Sequence, residues 1–424
     1  MAEINPFRAL RFTEKAGEIA SLTCPPYDII SEEERRALLR ENPYNVIRLE
    51  LPREGEDPYA EAGRTLGEWI EKGILRRDTD PGLYLYEEEF TAYGQTRKIK
   101  GIVCLVRLEE FSKGVILPHE ETLSKAKQDR LNLMNATDCN FSQIYSLYND
   151  ENHATGSRID ALSSGEPRYE FRDGAGVTHR MWLVNDPVVI QAIREDFADR
   201  KLYIADGHHR YETALNYRNS RREQGKGTGG EDYVMMMLVD MENDGLVVFP
   251  THRMIKNLPD FSADRLLSAC ETYFDVIPRA PLGEIAANLD TLYRQGKKAF
   301  ACYCGGEKWT LLILKDDSVM ARLLPEKSEA YRGLDVSVLH SLILERLLGI
   351  DRENMANQKN LAYTRSMEEA VASVQNGESQ CAFLLNPTRV QEIRDVAAAG
   401  EKMPQKSTYF YPKLITGLVM NQIG

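Results

Sequence analysis

The 424-residue chain lacks the features that would place it among membrane, secreted or nucleic-acid-binding proteins. No apolar run approaches the roughly 20 residues that a membrane helix needs. Residues 1–6 show none of the charged, apolar and small-residue regions of a secretory signal. Cations are scarce, because 53 Lys and Arg face 65 Asp and Glu and give a net charge of -12. These absences predict a cytoplasmic protein that binds neither membranes nor nucleic acid, since phosphate backbones favour clustered cations.

Two common chemical signatures are also missing. The seven cysteines form no Cys-x-x-Cys pair, and an odd number of thiols fits reduced side chains better than a disulfide framework. Cys302 and Cys304 are an exception in spacing, but alternate residues of a strand share a face, which favours two small core residues. The glycine-rich residues 225–230 lack the P-loop pattern, because Lys226 is followed by Gly227. We therefore expect no structural zinc, and we interpret residues 225–230 as a linker or a mobile lid.

The composition that remains is that of a folded protein, with 42% hydrophobic and 28% charged residues. Helix and strand patterns alternate along the chain, which predicts an α/β (α+β) fold, and the length suggests two or three domains. We divide the chain into an α+β segment over residues 1–114, a central domain over residues 115–256 and an α/β domain over residues 257–424. Local patterns predict a half-buried strand at residues 46–51, and a strand at residues 202–205 followed by a turn and a helix.

The strongest functional signal is Asp206-Gly207-His208-His209-Arg210, between that strand and that helix. The first amides of a helix have no intrahelical partner and the positive end of the dipole lies behind them, so a phosphate fits there. Gly207 permits close approach, the histidines add donors, and Arg210 can form a bidentate contact. Asp206 could cap the helix, hold a histidine tautomer or place a metal ion. The alternative is a plain turn with surface histidines, but cations crowded at one helix start favour a bound anion.

A second candidate is His119-Glu120-Glu121, which follows a strand and precedes a helix. A carboxylate there can face a cleft as a general base toward a hydroxyl group. Acidic residues also favour helix starts for dipole reasons alone, so a solvated helix start is the alternative. His252 and Arg253, at the end of another strand, are candidate additional phosphate donors.

Two further segments carry charge without forming a recognisable site. Lys125, Lys127, Asp129 and Arg130 fall at mixed helical spacings, which is typical of a solvated, salt-bridged helix face. Residues 403–413 are too aromatic and too rich in cations for a free tail, so we expect them to pack back onto the body of the protein.

The chain resembles, over nearly its whole length, the microbial family known as domain of unknown function 1015. The matching segments are Pro25-Pro26-Tyr27-Asp28, Asn42-Pro43-Tyr44-Asn45-Val46-Ile47-Arg48-Leu49, Pro118-His119-Glu120, Asp129-Arg130, Tyr203-Ile204-Ala205-Asp206-Gly207-His208-His209-Arg210-Tyr211, Pro250-Thr251-His252-Arg253 and Lys406-Ser407-Thr408-Tyr409-Phe410-Tyr411-Pro412-Lys413. The family name assigns no activity.

The order Pro-His-Glu-Glu, strand, Asp-Gly-His-His-Arg is also similar to the ParB and sulfiredoxin-like fold, especially its free-serine kinases, which phosphorylate L-serine from a nucleotide. This resemblance implies a ParB/sulfiredoxin-like central domain with added N-terminal and C-terminal α/β segments. It implies that residues 206–210 bind the phosphates of ATP or ADP with magnesium, and that Glu120 is the base, with Glu121 as a substitute. His119 and His209 are the other candidate catalytic residues.

The sequence therefore favours a small-molecule kinase that binds a nucleotide and a hydroxyl acceptor such as serine. A nucleotide or phosphoester hydrolase would use the same turn with water as the acceptor. A nucleotide-sensing binding protein without turnover is the alternative from another class, because function belongs to sites rather than to folds.

Overall fold

The computed structural model describes residues 1–122 and 124–423, and it has the mixed α/β architecture that the sequence predicts. The chain forms two compact units. The first unit comprises Met1–Pro118, Thr122–Val247 and Pro412–Gly424, and the second comprises His119–Glu121 and Val248–Tyr411. The division into three sequence segments stays a prediction. Within the described residues, no helix is both long and apolar enough to cross a membrane.

The first unit is built on a nine-stranded sheet. Its strands are, in spatial order, Ile116–Leu117, Leu202–Asp206, Ile144–Tyr148, Tyr233–Asp240, Gln95–Arg107, Leu83–Ala92, Thr178–Val184 and Tyr169–Arg172, with Ile4–Asn5 also paired to Gln95–Arg107. The pairs Leu202–Asp206 with Ile116–Leu117 and Tyr233–Asp240 with Ile144–Tyr148 are parallel. Two small antiparallel pairs join Leu10–Phe12 to Leu75–Arg77 and Asn421–Gln422 to Cys139–Asn140.

Helices of the first unit contribute to two apolar clusters, one that buries side chains of this sheet and one that includes the strand pair Leu10–Phe12 and Leu75–Arg77. The α-helices are Ile19–Leu22, Glu32–Glu41, Ile47–Glu50, Pro58–Glu71, Ser124–Thr137, Ala154–Leu162, Pro187–Phe197 and His208–Glu223, and the 3-10 turns are Glu14–Ala16, Tyr27–Ile29, Phe111–Lys113 and Gly230–Asp232. The strand Tyr233–Asp240 lies in the middle of the sheet, and its residues Val234 to Val239 are at most 2% exposed. Because both faces of this strand are buried, nearly all of its residues are apolar, and the sequence shows a continuous apolar run here.

The predicted strand at residues 46–51 is wrong, because a short helix, Ile47–Glu50, occupies this position. Asn45 Oδ1 accepts a hydrogen bond from the amide of Ile47 at 2.9 Å and fixes the helix start. The alternation of apolar and polar residues suggests one solvated face, yet Glu50 is buried and accepts a 2.9 Å hydrogen bond from Ser142 Oγ. Ser142, which is distant in the sequence, thus donates the hydrogen bond that solvent would give to the Glu50 carboxylate in a half-buried strand.

The second unit contains a six-stranded antiparallel sheet. Its strands, in spatial order, are Phe274–Arg279, Trp309–Leu314, Ala299–Tyr303, Cys381–Leu384, His252–Ile255 and Leu361–Thr364. Its helices are Ala263–Cys270, Leu282–Glu284, Ile285–Arg294, Ser318–Leu323, Glu329–Arg332, Asp335–Val338, Leu339–Leu347, Arg352–Asn357, Met367–Gln375 and Val390–Ala398, and a short strand, Phe410–Tyr411, follows them. The apolar core lies between the sheet and helices that include Ile285–Arg294 and Met367–Gln375.

Candidate functional site

The segment at residues 206–210 has the predicted strand, turn and helix geometry. The strand Leu202–Asp206 is followed by Gly207 and then by the helix His208–Glu223. The pairing of this strand with Ile144–Tyr148 shifts register between Ile204 and Asp206. A bulge of this kind re-aims the side chains that follow it. The irregularity therefore marks the point where the strand presents Asp206 at the helix start.

Gly207 is required at this turn for two separate reasons. Its φ is +96°, in the left-handed region that L side chains rarely adopt. A Cβ atom at this position would also lie 3.0 Å from the guanidinium of Arg210. The absence of a side chain therefore lets Arg210 fold back over the start of its own helix.

Asp206 carries two ion pairs. Its Oδ2 accepts a 2.7 Å hydrogen bond from Arg210, and its Oδ1 accepts a hydrogen bond from the ammonium of Lys413. Burial alone would raise the pKa of Asp206, but Lys413, Arg210 and His208 outweigh it and hold that pKa below its ordinary value. Asp206 is therefore a carboxylate, and it forms the centre of a compact cluster of charges.

The two histidines of the turn differ in exposure. His208 is 2% exposed, whereas His209 is half-buried. The positive charges at this helix start would repel one another without an anion. In this structure Asp206 supplies that counter-charge, because Arg210 and Lys413 both bind its carboxylate. His209 is therefore the more accessible of the two histidines, whereas the side chain of Arg210 is 13% exposed.

Arg210 also faces a buried charged cluster inside the first unit. Its second guanidinium nitrogen donates to the carbonyl oxygen of Gln143. Beside it lies a cavity of about 50 Å³ whose lining includes Glu50, Arg130 and Ser142. Burial raises the pKa of Glu50, and Arg130 and Arg210 only partly offset this effect. A cavity of this size holds water rather than a nucleotide, so we regard it as support for Arg210 and not as the nucleotide pocket.

Arg130 belongs to this cluster and is 5% exposed, so the predicted solvated helix face is wrong for this residue. Its guanidinium donates to the carbonyl oxygen of Glu50 at 2.7 Å and to Asp129 Oδ2 at 2.6 Å. The same guanidinium lies 4.0 Å from the ring centre of Tyr27. An arginine buried with an aromatic face and acidic partners has lost its solvation and depends on those partners.

The residues around Asp206 do not fit a magnesium ion in this arrangement. Magnesium is bound through one or two carboxylates together with water and phosphate oxygens. The carboxylate oxygens of Asp206 are held by Arg210 and Lys413. Within residues 1–122 and 124–423, no group of three or more His, Cys, Asp and Glu side chains is arranged to hold a metal. The carboxylate of Asp206 is therefore assigned to its ion pairs with Arg210 and Lys413 and not to a metal ion.

The other candidate catalytic residues belong to the second unit. His119 is 1% exposed, and its Nε2 lies 3.0 Å from Thr408 Oγ1. The carbonyl oxygen of His119 accepts a 2.7 Å hydrogen bond from the amide of Met403. Glu120 is half-buried and Glu121 is exposed. His119 is thus anchored to the C-terminal segment, and Glu120 is the acid directly adjacent to it.

His252 and Arg253 are buried within the second unit. Burial lowers the pKa of His252 to about 4, so this side chain is neutral near pH 7. Arg253 is fully buried, and its guanidinium binds His340 Nε2 at 3.1 Å and the carbonyl oxygen of Lys406 at 3.1 Å. Arg253 thus holds the loop near residue 406, whereas His252 Nδ1 accepts a hydrogen bond from the amide of Leu385 at 3.4 Å. Their predicted role as phosphate donors stays a prediction.

A family model described as a protein of unknown function (DUF1015) matches residues 4–337. The chain belongs to this family. The membership confirms the resemblance found in the sequence. A comparison with curated proteins finds no match.

This DUF1015 member is also similar to several solved structures. One is a free serine kinase in complex with AMP, with 13% identity, a TM-score of 0.38 and coverage of 76% of this chain and 91% of that chain. Another is a conserved hypothetical protein from Pyrococcus furiosus, with 13% identity, a TM-score of 0.34 and coverage of 73% and 90%. A third is SbnI with a C-terminal truncation from Staphylococcus aureus, with 11% identity, a TM-score of 0.36 and coverage of 76% and 87%. No functional conclusion rests on similarities of this size.

Sequence reasoning does not select three residues that the structure places around Arg210 and Asp206: Glu50, Arg130 and Lys413. Each of the three residues nevertheless lies in or next to a segment that carries the family resemblance. Arg130 and Lys413 end segments that carry the family resemblance, and Glu50 follows another such segment directly. The packing of the C-terminal segment against the protein is confirmed by the pair of Lys413 with Asp206.

Proposed function

We propose that this protein transfers a phosphoryl group from a nucleotide, ATP or ADP, to the hydroxyl group of a small molecule such as free L-serine. The observation that carries the proposal is the meeting of Arg210 and Lys413 on one carboxylate, that of Asp206, at the first turn of a helix. Two cations against one anion leave net positive charge beside the positive end of a helix dipole. That is the electrostatic environment a phosphate favours.

In this proposal the transferred phosphate lies over Gly207, where the absence of a side chain lets phosphate oxygens approach the backbone. The amide of His209 and the guanidinium of Arg210 donate to those oxygens, and the ammonium of Lys413 balances their charge. Phosphoryl transfer depends mainly on positioning and on neutralisation of charge in the transition state. Asp206 keeps both cations in place while the nucleotide is absent.

On the acceptor side, Glu120 takes the proton of the hydroxyl group. As the acceptor oxygen bonds to phosphorus, the bond from phosphorus to the bridging oxygen of the nucleotide breaks, and the nucleotide leaves with one phosphate fewer. The assignment of Glu120 rests on the resemblance to free-serine kinases and on its position directly after the anchored His119. A carboxylate within hydrogen-bonding distance of the acceptor is the chemical requirement.

The test is a product assay. Purified protein is incubated with ATP or ADP, magnesium chloride and L-serine, and phosphoserine is measured by mass spectrometry. We expect phosphoserine from the wild type and a rate about 100-fold lower for Arg210→Ala, because a donor to the transition-state phosphate is lost. Arg222→Ala is the matched control, since Arg222 is in the same helix, is 52% exposed and pairs with Asp232.

Three results would contradict the proposal. Release of inorganic phosphate at the same rate with and without an acceptor would indicate a hydrolase. Tight nucleotide binding in calorimetry with no product from any hydroxyl amino acid would indicate a binding protein. Unchanged turnover in Arg210→Ala and Lys413→Ala would show that the turn is not the phosphate site.

A further inference from the structure

A group of cysteines lies in the second unit, outside the site described above. Cys302 is in the strand Ala299–Tyr303, and its Sγ lies 3.7 Å from Sγ of Cys304. Cys381 begins the strand Cys381–Leu384, which is hydrogen-bonded to Ala299–Tyr303. All three thiols are free. Three free thiols thus lie close together at one end of two neighbouring strands.

The register of the two strands, extended by one residue, pairs Cys304 with Cys381. The strands are antiparallel, and Tyr303 faces Ala382 across the pair. One step further along the same register places Cys304 across from Cys381. Residues directly opposite each other in an antiparallel pair have Cα atoms about 4.5 to 5.5 Å apart, which lies inside the range of about 4.4 to 6.8 Å found in disulfides.

Exposure distinguishes the three thiols. Cys302 is 1% exposed and Cys381 is fully buried, whereas Cys304 is half-buried. Cys304 is followed by Gly305 and Gly306, both at positive φ, so the chain turns away from the strand directly after it. A small reagent can therefore reach Cys304 before it reaches either neighbour.

The electrostatics favour the same thiol. Hydrogen bonds from Cys302 and Cys381 lower the pKa of Cys304 below its ordinary value, although burial and the negative charge of Asp264 oppose this effect. The pKa values of Cys302 and Cys381 are raised well above the ordinary value. The thiolate is the nucleophilic form, so one sulfur of the group is activated and the other two are kept as thiols.

We propose that Cys304 is an oxidation site for small peroxides, and that Cys381 captures the oxidised sulfur in a reversible cross-strand disulfide. Cys302 acts on this reaction through its hydrogen bond to the Cys304 sulfur. Sensor cysteines elsewhere combine the same properties, namely thiolate character, access and a neighbouring thiol that resolves the oxidised form. The proposal is independent of the phosphotransferase function.

The steps balance with peroxide as the oxidant. The thiolate of Cys304 attacks one oxygen of hydrogen peroxide, the O–O bond breaks, and sulfenic acid and hydroxide form. The thiol of Cys381 then attacks the sulfenic sulfur, the S–O bond breaks, and water leaves with the thiol proton. Two thiols are oxidised to one disulfide while one peroxide is reduced to two molecules of water, and a dithiol reductant reverses the change.

Cys302 is a poorer partner than Cys381 despite its short sulfur contact. Successive residues in a strand rise about 3.3 Å, so positions two apart are separated by about 6.6 Å, at the upper limit for a disulfide. A metal site is not favoured either, because the group is not arranged to hold a metal within the residues that the structure describes.

The experiment maps the disulfide in the wild-type protein. Reduced native protein is treated with hydrogen peroxide, free thiols are blocked with N-ethylmaleimide in denaturant, and the protein is digested with trypsin without reductant. Trypsin places Cys302 and Cys304 together in residues 299–308 and places Cys381 in residues 366–389. We expect a peroxide-dependent link between these two peptides that dithiothreitol removes. Peptides with Cys24, Cys104, Cys139 and Cys270 serve as internal controls and should stay labelled by maleimide.

Variants assign the sulfur atoms. Cys304→Ser and Cys381→Ser should abolish the link, and Cys302→Ser should retain it with slower formation. A bond confined to residues 299–308, uniform oxidation of all cysteines, or stoichiometric zinc that is lost in Cys304→Ser would each overturn the proposal. The wild-type map decides the main point even if a variant fails to fold.

Discussion

The ammonium of Lys413 donates to Oδ1 of Asp206, a residue 207 positions earlier in the chain. The opposite oxygen of the same carboxylate accepts from Arg210, four positions later, at 2.7 Å. A local contact and a very distant one therefore meet on a single side chain. The local contact belongs to the turn itself, and the distant one ties the C-terminal segment to it.

Replacing Lys413 tests this relationship through the pH dependence of stability. The folded state holds the pKa of Asp206 below its ordinary value of 3.8. Its contribution to stability is therefore present above pH 3.8 and is lost as the pH falls through the lower folded value. We expect Lys413→Met to lose about 1–3 kcal/mol of unfolding free energy near pH 7, since Arg210 keeps part of the pairing. Urea denaturation should show the difference from wild type shrinking below about pH 3, and an unchanged difference would contradict it.

Gly207→Ala should destabilise the protein more than an alanine at Gly225, a glycine with positive φ and open space around it. Gly207 has a φ of +96°, and a Cβ there would lie 3.0 Å from the guanidinium of Arg210. Backbone strain of this kind costs about 1–3 kcal/mol. Gly225→Ala is the control, because Gly225 has a φ of +66° with nothing within 4 Å of the added Cβ. The free energy of unfolding in urea and the affinity for nucleotide should both fall more in Gly207→Ala than in Gly225→Ala. Equal losses in the two variants would show that the contact with Arg210 does not contribute.

The features predicted well from the sequence are local ones. The strand and helix on either side of Gly207 follow from a short apolar run, a glycine and a helical pattern, all within neighbouring residues. The C-terminal segment is recognised as packed because its aromatic side chains have little reason to remain in solvent. Both inferences need only the chemistry of adjacent residues.

The features predicted poorly depend on partners that are distant in the sequence. Glu50 and Arg130 are charged, and a single chain gives no indication that they bury each other, 80 positions apart. The strand predicted at residues 46–51 and the solvated face predicted around Arg130 are wrong for the same reason. The pairing of Lys413 with Asp206 is equally hard to predict, since no residue near Lys413 in the sequence indicates this partner.

A buried acid in the central sheet should make stability depend on pH in the opposite direction. Glu88 is fully buried and accepts a 2.8 Å hydrogen bond from Tyr86, whose hydroxyl lies 2.7 Å from His179 Nδ1. Burial raises the pKa of Glu88 from 4.5 to about 8, and the negative charge of Asp173 adds to this effect.

The sign follows from proton binding. Between pH 4.5 and about 8 the folded protein holds a proton on Glu88 that the unfolded chain has released, so stability falls as the pH rises through this window. Glu88→Gln should flatten the slope of unfolding free energy measured by urea denaturation between about pH 5 and 8. Glu71→Gln, at an exposed position, should parallel the wild type. A Glu88→Gln slope identical to that of the wild type would show that Glu88 is ionised in the folded protein.

The buried pair of Glu50 and Arg130 should behave as a coupled unit. Glu50 is 3% and Arg130 5% exposed, and Arg130 is the first of the cations that counter the effect of burial on the pKa of Glu50. Arg130→Met leaves the carboxyl group buried with only Arg210 nearby, so we expect a loss of about 3–5 kcal/mol. The double variant Glu50→Gln, Arg130→Met removes the isolated acid and should be less destabilised than the sum of the single variants. Urea denaturation of all four proteins gives the coupling energy, and strict additivity would mean that the two side chains are buried side by side without stabilising each other.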